Sequence, residues 1–280
     1  RGGVNDAYFV GAKVEVFDNN DNRFVGTVDS LDPKTKPFKR VIVKLHKSVA
    51  GFFFEGDIAR WRFAPPVVKG DLLHAPACDD LAGVAAAISS LDKIKKLNGL
   101  GHVGVLLTRA EEIGFVGAIA AAKNRTVPKT ARLLCLETSR SFPESPIGAG
   151  PILRVGDKTS VFGPELTNAI AEIMQAQTKI AWQRKLMPGG TCESTAFCNY
   201  GYLSTCLCLA LGNYHNMYDI DGVLHKNKTA KVAPEIISVN DFHGLVNMLT
   251  LVCKNLDAPR AATLRRSLEA RLKSHRKLLS

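Results

Sequence analysis

The sequence lacks any apolar run approaching the roughly 20 residues that a bilayer span requires, so no membrane association is expected. No charged-then-apolar leader precedes a cleavage site. A disulfide framework is also missing: the seven cysteines are an odd number, scattered, and several, including Cys135, Cys206 and Cys208, sit in apolar surroundings. That usage suits a reducing compartment, and the expected location is the cytoplasm. Internal repeats and low-complexity segments are absent too. What is present is ample apolar content, 46% of 280 residues, enough for one large or two modest domains. The formal charge of +11 invites a nucleic-acid or membrane-surface role. Much of it is local, because Arg260, Arg265, Arg266, Arg271, Lys273, Arg276 and Lys277 face only Glu269.

Residues 1–66 alternate short β patterns with turn chemistry: Lys13 to Phe17, the turn Asn19-Asn20-Asp21-Asn22, Phe24 to Val28, then Arg40 to Lys44. They predict a small β-barrel or curled sheet, closed off by Pro65-Pro66. From Val67 to about 258 strands alternate with helices, the pattern of an α/β domain. A helix is expected over Asp80 to Leu97, with Leu81, Val84, Ala85, Ile88 and Leu91 on its apolar face and Ser90, Asp92, Lys93 and Lys96 largely opposite. Val103, Val105, Leu106 and Leu107 read as a buried strand, followed by a helix over Phe115 to Lys123. Further strands are expected at Arg132 to Leu136, Ile180 to Arg184 and Ser204 to Leu211. Helices are expected at Pro164 to Gln177, Thr191 to Cys198 and Pro234 to Leu256. Residues 259–280 form a basic amphipathic helical tail with Leu264, Leu268 and Leu272 in register.

Chemistry concentrates where strands hand over to helices. Glu111 and Glu112 are adjacent carboxylates at such a junction, and they would repel each other unless a proton or a cation neutralised one. A helix start that favours acids explains a lone pair equally well. Asp79-Asp80 likewise admits a simple role as helix cap and first-turn acid. Yet Asp79, Glu111, Glu112, Glu137 and His215 all fall at junctions that an open sheet delivers to one edge, and they are the oxygen and imidazole ligands that Zn²⁺ accepts. Cys206 and Cys208, with no second pair nearby, read as core. His46, His102 and His243 lack an acidic partner in a matching context, and His74, before Pro76, is a minor candidate ligand.

The string Cys78-Asp79-Asp80-Leu81-Ala82-Gly83, then Glu111-Glu112-Ile113-Gly114 with Gly117-Ala118, then Glu137, Gly190-Thr191 and His215, resembles the co-catalytic di-metal aminopeptidases of the glutamyl and deblocking type, which include the tetrahedral aminopeptidases. The resemblance covers essentially the whole chain. It implies an α/β fold, a mixed sheet flanked by helices, with a small β-barrel domain inserted ahead of the Asp-Asp motif. It implies that Asp79 bridges two metals and that the Asp79-Asp80 peptide is cis. Glu112 would hold one metal, Glu137 the other, and His215, chosen over His225 for its place at a strand end, would join the metal that Glu112 does not hold. Glu111 would be the general base. The chain departs from the family at Glu137, where closer relatives carry Asp, and at Thr191-Cys192-Glu193, where they carry Thr-Asp-Ala. A further histidine ligand comes, in that family, from a strand ahead of the β insertion, so it is expected upstream of Arg1 in a longer chain.

The expected function is a metallopeptidase that removes N-terminal residues from peptides with two divalent ions, zinc first and cobalt second. By resemblance it assembles into homo-oligomers through the β domain, and no nucleic-acid role is expected. Two alternatives stand beside it: a carboxypeptidase or amide deacylase of the same wider group, and a non-catalytic binding protein acting through the basic tail.

Overall fold

The computed structural model describes residues 3–48, 53–257 and 263–279. The N-terminal part holds β1 (Lys13–Phe17), β2 (Arg23–Asp32), β3 (Arg40–Leu45) and β4 (Ile58–Trp61), in the order β3-β2-β1-β4. β1 pairs antiparallel with both β2 and β4, placing Val14 opposite Gly26 and Trp61. Asp18 closes the β1–β2 turn by accepting from the backbone N–H of Asn20 and Asn22 at 2.9 and 2.8 Å. The strands are those the alternation predicts, but among the described residues the sheet is open, not a barrel: β3 and β4 form its two edges and do not pair.

β5 (Val67–Lys69) and β6 (Leu72–Ala75) lead into α1 (Cys78–Lys95), then α2 (Val116–Lys123), β7 (Arg132–Arg140), β8 (Ile152–Gly156) and α3 (Pro164–Gln175). β9 (Gln183–Leu186), α4 (Glu193–Asn199), β10 (Leu203–Leu211), β11 (Met217–Tyr218), α5 (Ile220–Lys226) and β12 (Lys231–Val232) follow. β13 (Glu235–Ser238), α6 (Val239–Asn255) and α7 (Thr263–His275) complete the order. The central sheet runs β7-β10-β8-β9, with β10 parallel to β7 and antiparallel to β8. β10 is buried on both faces: Leu207, Leu209 and Leu211 enter one core with α1, α3 and α6, while Cys206, Cys208 and Ala210 enter a second with α2 and α4. The two thiols are therefore core residues, as their surroundings suggest. A smaller sheet, β13-β6-β5, carries α1 and α6.

Three elements differ from the sequence-based expectation. Val103 to Leu107 form no strand, and Leu107 is 57% exposed. An apolar run becomes a strand only beside a partner, and among the described residues β7 pairs on one edge alone, with β10. On α1 the buried face is Ala82, Ala86, Ser90 and Ile94, while Leu81 and Ile88 are 65% and 54% exposed. Small residues face α6, and Ser90 satisfies its hydroxyl on the carbonyl of Ala86 at 2.7 Å. The segment opening at Pro234 starts as β13; the helix begins only after Ser238, whose hydroxyl accepts from the N–H of Asp241 at 3.0 Å. On α7 Leu268 and Leu272 are exposed in register, whereas Arg260 and the side chain of Leu264 lie outside the described residues.

Candidate active site

The site is built at the end of the sheet where α1 begins. Asp79 has non-helical backbone angles and the Asp79–Asp80 peptide is cis, as the resemblance implies. The N–H of Asp79 donates to Glu235 Oε2 at 3.0 Å, and Glu235 is fully buried. Asp80 Oδ1 accepts from the N–H of Gly83 at 3.1 Å. A Cβ at position 83 would lie 2.3 Å from Asp80 Oδ2, so the glycine of the Asp-Asp motif is there to admit the carboxylate.

Glu111 and Glu112 occupy a single 3-10 turn, Glu111–Ile113, between Ala110 and Phe115, both left-handed. Gly117 locks this turn onto α2: its N–H donates to the carbonyl of Arg109 at 2.9 Å, and a Cβ there would fall 2.2 Å from that oxygen. The first-turn glycine of α2 thus sets the height of both carboxylates.

Glu137 lies inside β7, not at its end, because Thr138, Ser139 and Arg140 continue to pair with Leu209, Ala210 and Leu211. His215 sits just past β10 in a turn where Asn213, His215 and Asn216 all have positive φ. Asn213 donates to the carbonyl of Pro234 at 2.8 Å and Asn216 to that of Pro76 at 3.0 Å, so amide side chains hold the turn in a conformation Asn tolerates. The ring of Tyr214 stacks on the imidazole at 3.8 Å.

These side chains meet in one cavity of about 260 Å³, lined by Asp79, Glu111, Glu112, Glu137 and His215 together with Arg154 and Thr191. The candidate ligand atoms of Asp79, Glu112 and His215 lie within 4.8 Å of one another, as do those of Asp79, Asp80 and Glu137. Two features differ from the resemblance. His215 groups with Asp79 and Glu112, and its Nε2 lies 3.4 Å from Oδ2 of Asp79, the residue common to both triads. Asp80 joins the second triad, a role its place in the motif did not suggest. His74 is on β6 and His225 is exposed on α5, and neither belongs to these groups.

Burial pushes the carboxyls of Asp80 and Glu137 well above the usual carboxylate range, and the negative charge of Asp79 pushes both further. Among the described residues, the buried His215 Nδ1 has no hydrogen-bond partner. Packed acids that cannot all ionise and an imidazole with a ring nitrogen to spare are a donor set suited to hard and borderline divalent cations. Sequence reasoning missed Glu235, which was read as first-turn helix, and Arg154, a buried cation on the cavity wall that donates to the carbonyl of Gly190 at 2.9 Å.

The family model for M42 glutamyl aminopeptidases matches residues 52–229, well over half of the chain. The chain belongs to the M42 glutamyl aminopeptidase family. No curated protein sequence matches it. A TET aminopeptidase from a marine-sediment archaeon of the Thaumarchaeota has a similar fold: 18% identity over 92% of this chain and 74% of that one, with a TM-score of 0.69. An aminopeptidase from Desulfurococcus kamchatkensis shares 16% identity over 94% of this chain and 75% of that one, with a TM-score of 0.68. The TET1 peptidase of Pyrococcus horikoshii shares 19% identity over 90% of this chain and 74% of that one, with a TM-score of 0.66. Family membership makes this M42 protein a metallo-aminopeptidase, a hydrolase of a family that depends on two metal ions.

Proposed function

We propose that Glu111 is the general base of this aminopeptidase and that Asp79, Glu112, Glu137 and His215 hold its two metals, zinc first and cobalt as the alternative. The observation that carries the proposal is the convergence of these five side chains, from four separate stretches of chain, on one cavity. Held by Asp79, Glu112, Glu137 and His215, two divalent cations would supply Lewis acidity for activating water and polarising the scissile carbonyl. The carboxylate of Glu111 accepts a proton from the attacking water and passes it to the departing amine. Glu235 fixes Asp79 through its backbone N–H, and Gly83 leaves Asp80 room beside it. The substrate is a peptide with a free N-terminus.

Charge substitution separates the roles. Glu111→Gln is expected to keep its metal and lose turnover by about 10²–10⁴, the usual range of a general base. Glu112→Gln is expected to lose metal. Metal analysis beside aminoacyl-nitroanilide hydrolysis checks both, and parallel loss of metal and activity in the two variants would reject the division of labour.

We further propose three units: residues 1–66 as the inserted β domain, 67–258 as the peptidase domain and 259–280 as a basic tail. Phe38, Ile42, Phe54 and Ile58 are large, apolar and exposed in the first unit, which suits self-association through it. The Pyrococcus horikoshii TET1 peptidase assembles into a tetrahedron or a large octahedral shell, which supports an oligomer here. The expected cytoplasmic location is supported by the free cysteines. No helix among the described residues is long and apolar enough to cross a membrane. A non-catalytic binding role is not favoured by the family match.

A further inference from the structure

The turn that carries Glu111 and Glu112 follows a stretch, residues 101–110, without helix or strand. Its backbone hydrogen bonds, from Gly114, Phe115, Val116 and Gly117 to Glu111, Ala110 and Arg109, all run within the turn or to the adjoining α2. They shape the turn and join it to α2. Thr108 reaches the segment that continues from the Thr191 wall of the cavity: its Oγ1 donates to Glu193 Oε1 at 2.5 Å, across 85 positions of sequence.

Glu193 opens α4 on a segment that is itself anchored. The carboxylate of the buried Asp157 accepts from the N–H of Cys192 at 3.1 Å, the hydroxyl of Thr195 at 2.5 Å and the N–H groups of Thr159 and Ser160 at 2.7 and 2.9 Å. Gly190 and Thr191, on the same segment, line the cavity. Asp157 thus anchors the Glu193 arm, and the Thr108 hydroxyl ties that arm to the stretch leading into the glutamate turn.

We propose that Glu193 is a positioning residue, which through Thr108 clamps the Glu111-Glu112 turn to the Thr191 wall of the cavity at the height catalysis requires. Glu193 belongs to the stretch Thr191-Cys192-Glu193, whose first residue lines the cavity. The proposal rests on the assignment of Glu111 as base, and it predicts a signature different from that of a ligand or of a core residue. Thr108→Val preserves shape and removes the donor; Thr108→Ser keeps the donor.

The test uses the full chain, with three readouts: steady-state kinetics, metal per chain, and amide hydrogen exchange of residues 111–117. Thr108→Val is expected to lower kcat by about tenfold to a hundredfold, the scale of an ångström-sized misplacement, with KM within about twofold and metal retained. The amides of Gly114 and Gly117 should exchange faster. Thr108→Ser and Glu193→Gln, which each keep a hydrogen bond, should stay near wild type, while Glu193→Ala should match Thr108→Val and the double variant should be no worse than either. Unchanged kcat and exchange in Thr108→Val overturn the clamp, as does metal loss in step with activity or failure of Thr108→Ser to rescue. Should the wild-type chain not hydrolyse aminoacyl substrates, the assignment of Glu111 fails by itself, and the exchange rates still decide whether Glu193 holds the turn.

Discussion

At the scale of single residues, the motif glycines are fixed by what a methyl group would strike. A Cβ at Gly83 would overlap the carboxylate of Asp80, which lies within the Asp79–Asp80–Glu137 triad. Gly83→Ala is therefore expected to destabilise the fold by about 1–3 kcal/mol, as overpacking does, and to weaken metal binding. Gly101, whose added Cβ would meet nothing within 4 Å, supplies the control. Gly101→Ala should change the melting point little, and equal behaviour of the two variants would show that Asp80 can move without cost. The proposed ligands were legible in the sequence because Asp79, Glu112 and His215 stand at element boundaries, where the α/β pattern delivers side chains to one edge. Glu235 and Glu193 were not, since their partners Asp79 and Thr108 lie 156 and 85 positions away and no local pattern marks them.

At the scale of elements, period-two and helical patterns located β1, β2, β3, α2, α3, β7 and β10, where one apolar stripe has one destination. They failed where tertiary context decides. α1 carries two candidate stripes, and the one with the larger side chains is the exposed one, because helix α6 packs against alanine, serine and a single isoleucine. Pro234 imitates a helix start, yet Ile237 is needed in the sheet beside β6, and the true cap is Ser238. β8 was overlooked because Arg154 interrupts its apolar run, although that arginine is buried and hydrogen-bonded to Ser139 and Gly190. The orientation of α1 can be checked directly. Ala86→Leu, at a position with no exposure, is expected to lose about 1–3 kcal/mol in a denaturant titration. Ile88→Ala should stay within about 0.5 kcal/mol of wild type. The reverse order would mean that the larger stripe is covered after all.

At the scale of the whole molecule, the active site opposes the fold that carries it. Asp80 and Glu137 are held well above the carboxylate range by burial and by the charge of Asp79. In metal-stripped protein these two groups keep protons that the unfolded chain has already released above about pH 4. The native state then binds more protons than the unfolded state, and stability must fall as pH rises through the window between the unfolded and folded values. Asp18, Asp32, Asp92, Asp219 and Asp221 are shifted the opposite way by hydrogen bonds from neighbouring side chains, so their contribution is present above the unfolded value and lost below it. They lie at or near the surface, where such pairs contribute little. The metal-stripped protein should therefore melt highest in mildly acidic solution and progressively lower toward neutral pH. Divalent metal reverses the slope, because binding requires the deprotonated carboxylates and favours them as pH rises. Calorimetry from mildly acidic to neutral solution on chelator-treated and zinc-reloaded samples checks this. A melting point of the stripped protein that climbs across the same range would mean that Asp80 and Glu137 ionise freely in the native state, and the crowding of acids around Asp79 would then demand no cation.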